Sequence, residues 1–186
     1  MKKHKPSGPA IFMYCVIALA LVVAVVCFVL HYGKNNESAV ILWTGVTAFT
    51  IMYHLWVRII MGNVSKLFKV NYRQKWFQER KFEKALYKCL RVKDWKGKAL
   101  TYNPEAFSLK EHTLEEIAGA MTKAELDHWI NIAIAFSTLL FAIVWGELWI
   151  FALTAVLAAL FDGQFIAIQR YNRPRVVKIL KKQERE

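Results

Sequence analysis

The sequence predicts an all-α membrane protein with about four transmembrane helices. Three observations predict it. Hydrophobic residues make up 56% of the 186 residues and fall in long blocks rather than the short periodic runs of a soluble core. Four of those blocks are long enough for a helix to cross about 30 Å of hydrocarbon, which takes roughly 20 residues. The net charge is +12, and it is sorted between the blocks rather than spread along the chain. A basic balance suits nucleic acid or an anionic membrane surface; with apolar blocks of this length it points to the membrane, and no nucleic-acid partner is expected.

The first block covers residues 9–32 and carries no charge. Lys2, Lys3 and Lys5 precede it, as in a signal peptide, but the apolar run is too long for one and no small-x-small cleavage site follows. The second block covers residues 38–62. The third and fourth, residues 129–145 and 148–168, are separated only by Gly146-Glu147 and therefore form a helical hairpin. Residues 63–127 make a basic loop, and 170–186 a basic tail, of a single membrane domain spanning 1–186. In the loop, Trp76, Phe77, Leu86, Cys89 and Leu90 recur at near-helical spacing among charges. That pattern predicts an amphipathic helix over 73–90, lying on the membrane surface or packed on a small domain of its own. Asn103-Pro104 fits a helix start. Thr113-x-x-Glu116 and Thr122-x-x-Glu125 both fit capping boxes, the second opening the helix that becomes the third span. Pro174 disfavours helical geometry at Arg173 and predicts a separate interfacial tail helix with Val176, Val177 and Leu180 alternating with Lys178, Lys181 and Lys182.

Topology follows from Lys and Arg placement. Of 26 such residues, 24 lie before the first block, in the 63–127 loop or from Arg170 onward. The exceptions are Lys34 and Arg58. That asymmetry places the loop and both termini in the cytoplasm of a multi-pass plasma-membrane protein. Cys15, Cys27 and Cys89 show neither metal nor disulfide spacing.

Polar residues inside spans are expensive and usually face a protein interior. His54 and Arg58, four apart, share one face of the second span; Asp162 and Gln169, seven apart, share one face of the fourth. At 1.5 Å per residue, His54 and Asp162 both lie roughly 12 Å below the basic side, a depth that allows a His54–Asp162 pair in a polar pocket of His54, Arg58, Asp162 and Gln169. Near the interface, Glu125 and His128 are three apart and share a helical face, so Glu125 can orient His128 as a general base. Glu-x-x-His also occurs in dimetal bundles, which need it repeated; it occurs here once, and no metal is expected. Arg170, Arg173 and Arg175 around Tyr171, Asn172 and Pro174 suit bidentate binding of phosphate or carboxylate. Lys93, Trp95 and Lys96 form a further basic patch suited to anionic headgroups or a phosphorylated donor.

Four segments taken together resemble the glycosyl-4,4′-diaponeurosporenoate acyltransferase family of staphyloxanthin biosynthesis. They are Phe82-Glu83-Lys84, Val92 to Lys98 with its Trp-Lys-x-Lys core, Lys123 to Trp129 with Glu125 and His128, and Gln169-Arg170-Tyr171-Asn172-Arg173-Pro174-Arg175. At Asp162-Gly163-Gln164 the family looks like Asn-x-Pro, so this sequence departs there. The resemblance implies transfer of a fatty acyl chain to a sugar hydroxyl of a glycosylated carotenoid. It implies membrane lipids and a lipidic acceptor as partners, no cofactor, and a donor such as acyl-CoA or an acyl carrier protein. It assigns His128 as base with Glu125 as its orienter. Arg170, Tyr171, Asn172, Arg173, Arg175, Lys93, Trp95, Lys96 and Glu83 become substrate-binding, with Arg173 or Asn172 stabilising the oxyanion. Two other classes also fit the sequence: a non-enzymatic module binding lipids or a partner, and a different, metal-dependent lipid-modifying enzyme on the same scaffold.

Overall fold

The computed structural model describes residues 8–99 and 104–185. Lys2, Lys3 and Lys5 of the topology reading and Asn103 of the loop helix start lie outside the described residues. Those described contain no strand. Helix α1 is Gly8–Phe28 and continues as a π-helical turn, Val29–Gly33. Helix α2 is Ala39–Val64, α3 is Glu83–Cys89, and α4 is Val92–Trp95. Helix α5, Leu114–Ser137, passes through a 3-10 turn into α6, Ala142–Trp145; α7 is Leu148–Gln183. Among the described residues, four helical stretches are long and apolar enough to cross a membrane: Ile11–Gly33, Ala39–Val64, Leu114–Trp145 and Leu148–Gln183.

The chain divides into two compact units between Ile60 and Met61, inside α2, a boundary that hydropathy does not mark. In the first, α1 and α2 meet through Ala20, Ala24 and Ala48, flanked by Val23, Phe28, Phe49 and Met52. Small residues allow backbones to approach, which is how helices gain contact where the solvent is itself apolar. At Gly45 the two helices come close: a Cβ there would lie 2.9 Å from Cys27 Cβ.

The second unit is built on the hairpin of α5–α6 and α7. Its turn needs Gly146, whose φ of 72° and ψ of −155° belong to a region essentially closed to residues with a Cβ. Glu147 follows in the left-handed region and accepts a 2.7 Å bond from Trp149 Nε1. Three local expectations change. Thr113 is the cap of α5: its hydroxyl accepts from the Glu116 backbone, and the Glu116 carboxylate accepts from the Thr113 backbone. Thr122 is therefore no cap but a buried mid-helix residue whose hydroxyl donates to the Ala118 carbonyl. Residues 73–90 do not form one amphipathic helix. A 3-10 turn at Lys75–Phe77 ends in extended backbone at Gln78, and only Glu83–Cys89 is α-helical. Finally, α7 runs unbroken through Pro174. Proline removes one backbone bond and crowds the preceding turn, at about 3 kcal/mol; that turn carries two buried side-chain anchors, Arg170 and Arg173.

Candidate functional site

On α5, Glu125, His128 and Asn131 follow at three-residue intervals and so lie along one side. On α7, Asp162, Ile166, Gln169, Arg170 and Arg173 form the buried stripe. The antiparallel hairpin sets these two rows against each other and produces two polar clusters, both inside the second unit.

The first is a dyad. His128 Nδ1 lies 2.8 Å from Asp162 Oδ1, and Asn131 Nδ2 donates to the same oxygen at 3.2 Å. Asp162 is 1% exposed, whereas the His128 side chain is 23% exposed. The imidazole stacks on Phe165 at 4.7 Å, with the planes 9° apart. With Asp162 ionised, its carboxylate only accepts, Nδ1 is the donor, and the Nε2 lone pair is left as the reactive position of a neutral imidazole. A carboxylate, an amide and a ring thus hold one partly exposed imidazole in a set orientation.

The second cluster is a buried ion network. Arg170 places all five of its N–H donors: Nε and Nη2 on Glu83 Oε1 (3.0 and 2.5 Å), Nη1 on Glu125 Oε1 (2.6 Å) and the Trp76 carbonyl (3.1 Å), and Nη2 also on the Gln78 carbonyl (3.1 Å). Arg173 Nη1 donates to Glu125 Oε2 at 2.6 Å, and Nη2 donates to the Phe77 carbonyl. Glu125 also receives Trp129 Nε1 at 3.4 Å. Two guanidiniums and two carboxylates cancel in charge, and all four side chains are buried. The network ties the 76–78 segment and α3 to the hairpin. It works because residues 76–78 are not in a continuous helix, so their carbonyls remain free to accept.

This geometry redistributes the residues named from sequence. Glu125 does not orient His128; its oxygens are taken by Arg170, Arg173 and Trp129, and Asp162 meets His128 instead. Asp162, expected opposite His54, is bonded within its own unit by His128 and Asn131. His54 and Arg58 sit one turn apart on α2, in the first unit. Arg170 is not an open clamp, because all five of its donors are spent inside the protein, and buried Arg173 turns one nitrogen to Glu125 and the other to the Phe77 carbonyl. Glu83 is a buried partner of Arg170 rather than a substrate ligand, and its neighbour Tyr87 has its hydroxyl pushed up to about 12 by burial and by the Glu83 charge. Gln169 is buried. Asn172 accepts from Lys96 Nζ at 2.6 Å, and Trp95 Nε1 donates to the Leu90 carbonyl at 2.9 Å. Lys93 and Arg175 are exposed. Among the described residues, no three His, Cys, Asp or Glu side chains are grouped as a metal site would require. Asn131 and Phe165 were missed; the three-residue step from Glu125 through His128 was the signal that would have found Asn131.

The model of the glycosyl-4,4′-diaponeurosporenoate acyltransferase family matches residues 73–182. The chain belongs to this family. The match takes in the loop anchors, the ion network and the dyad, and leaves out α1, His54 and Arg58. Membership supports an acyltransferase role, and the family name implies a glycosylated, lipidic acceptor of the carotenoid pathway. No curated protein and no solved structure matches the chain.

Proposed function

We propose that the protein transfers a fatty acyl chain from a thioester donor to a sugar hydroxyl of a lipidic, glycosylated acceptor at the cytoplasmic membrane interface, with His128 as general base. The observation that carries this reading is the 2.8 Å pairing of partly exposed His128 with fully buried Asp162. The acceptor hydroxyl gives its proton to His128 Nε2 while its oxygen attacks the thioester carbonyl carbon. The tetrahedral intermediate collapses, the C–S bond breaks, and the leaving thiolate takes the proton back from the imidazolium. An ester and a free thiol result, with no change of oxidation state. Asp162 is the positioning residue: it holds the ring and stabilises the imidazolium formed on the way. His128 stands where the apolar block of the third span begins. The sugar of a glycolipid sits at that level when its tail is in hydrocarbon.

The test is turnover of a fatty acyl-CoA and a glycosylated carotenoid acid by purified protein in nanodiscs. His128→Ala should lower kcat by about 10²–10⁴-fold, the usual worth of a general base, in protein that is still folded at the assay temperature although loss of the Asp162 partner lowers its unfolding temperature. Asp162→Asn, which keeps an acceptor oxygen but removes the charge, should lower kcat less and alter the pH–rate profile. Wild-type turnover in His128→Ala would sink the assignment.

A further inference from the structure

Past Arg173, α7 presents Pro174, Arg175 and Lys178 to α3 and α4. Together with Tyr171 they border a cleft of about 590 Å³, within the size range of small-molecule sites. Six cations line it: Lys84, Lys88, Arg91, Lys93, Arg175 and Lys178. Its two carboxylates are already engaged, Glu79 with Lys84 at 3.7 Å and Asp94 with Arg91 at 2.8 Å. Among the described residues, Lys88, Lys93, Arg175 and Lys178 pair with no carboxylate.

The cleft is shaped by more than a run of charge. Arg91 adopts φ 50°, ψ 39°, a conformation few non-glycine residues take. The sharp turn there, pinned by the fully buried Val92, brings Lys88 of α3 and Lys93 of α4 to one cavity. Arg175 is held across the Tyr171 ring at 3.6 Å and bonds the Tyr171 carbonyl at 2.5 Å. The Tyr87 ring meets Tyr171 edge-on at 6.2 Å. Cations converging on a concave surface repel one another until an anion enters, and a ligand with several negative charges relieves that most.

Position narrows the ligand further. Arg175 lies thirteen positions after Asp162 on α7, about 20 Å along the helix at 1.5 Å per residue. A ligand that puts its anionic end in the cleft and its reacting carbon at His128 must carry a long flexible arm between them. We infer that the cleft holds the nucleotide phosphates of a coenzyme A thioester, the acyl donor; this rests on the acyl transfer proposed at His128. The phosphate of an anionic lipid headgroup shares that chemistry, and the experiment separates the two sources.

Binding of a non-hydrolysable coenzyme A thioether is measured on full-length protein in phosphatidylcholine nanodiscs without acceptor, so no turnover is needed. Lys88→Gln/Lys178→Gln removes two exposed charges. It should weaken binding at least tenfold and flatten its salt dependence, while His128→Ala should bind as wild type. Turnover lost in His128→Ala with unchanged thioether affinity in the double variant would overturn the cleft and spare the dyad. Thioether affinity lost in the double variant with full turnover in His128→Ala would do the reverse. If wild type ignores the thioether, but phosphatidylglycerol raises its unfolding temperature in a way the double variant loses, the cleft is a lipid headgroup site and the donor assignment is overturned.

Discussion

Glu125→Gln separates a structural from a catalytic Glu125. The carboxylate is fully buried and accepts two 2.6 Å bonds from different guanidiniums. Charge-assisted bonds contribute about 1.5–3 kcal/mol each, and removing one partner of a buried pair costs about 3–5 kcal/mol because the remaining charge is stranded. In the variant, Arg170 keeps Glu83, but the four-charge cluster carries an uncompensated positive charge. An amide N–H₂ also faces one guanidinium donor to donor. A loss of about 3–5 kcal/mol corresponds to a fall of roughly 10 °C in a chain of this size. The assay is thermal unfolding in nanodiscs followed by tryptophan fluorescence, paired with turnover well below the transition. Folded Glu125→Gln should keep most of its kcat, because Asp162 orients His128. Because the network holds the 76–78 segment, limited proteolysis of the 72–82 loop should accelerate. An unchanged unfolding temperature with lost turnover would refute the reasoning and return Glu125 to the role of His128's orienter.

Two further outcomes follow from particular distances and charges. In Gly45→Val the new Cβ would start 2.9 Å from Cys27 Cβ, an atom fixed to its backbone; α1 and α2 should separate, the unfolding temperature should fall by an overpacking cost of about 1–3 kcal/mol, and Cys27 should react faster with maleimide, whereas wild-type stability and reactivity would contradict the close approach. Tyr87 is held protonated up to about pH 12 by burial and by Glu83: its folded value lies above the ordinary one near 10, so the stability it contributes is complete below pH 10 and is lost as pH rises toward 12. The tyrosinate absorbance difference between wild type and Tyr87→Phe should therefore appear late, near pH 12, and a midpoint near 10 would place Tyr87 in water.

The spans were legible because hydrophobic length is set by bilayer thickness and needs no partner. Gly146-Glu147 marked the hairpin turn because only glycine takes that backbone cheaply. The loop misled because residues 73–90 carry a helical pattern that tertiary bonds override: the carbonyls of Trp76, Phe77 and Gln78 serve two arginines nearly a hundred residues away, and no local signal reports an acceptor at that distance. Thr122 misled for a related reason. Its capping-box spacing to Glu125 is real, but Thr113 starts the helix nine residues earlier and leaves Glu125 free to face α7. Depth matched His54 to Asp162, yet depth is one coordinate of three, and His128 on the hairpin's other arm reaches the same carboxylate.

The arginines after the fourth span show what the sequence could still have supplied. At about 100° per residue, Asp162, Gln169 and Arg173 fall within about 40° of one another around α7, with Ile166 and Arg170 beside them; this is the buried stripe. Tyr171, Arg175 and Lys178 fall within about 60° of one another on a different side, and they border the basic cleft. A residue's role in Gln169-Arg170-Tyr171-Asn172-Arg173-Pro174-Arg175 is therefore fixed by helical phase rather than by charge. Phase has meaning here only because the helix does not break at Pro174. A break there would release Arg175 and Lys178 from the angle at which they meet Lys88 and Lys93. Arg170 and Arg173, on the turn before Pro174, are bolted to Glu83 and Glu125. The buried ion network thus fixes the register of α7 as far as Arg173, and the contacts of Arg175 with the Tyr171 carbonyl and ring carry the helix across Pro174 toward Lys178. On the reading proposed above, that register is the fixed distance a long-armed donor must span.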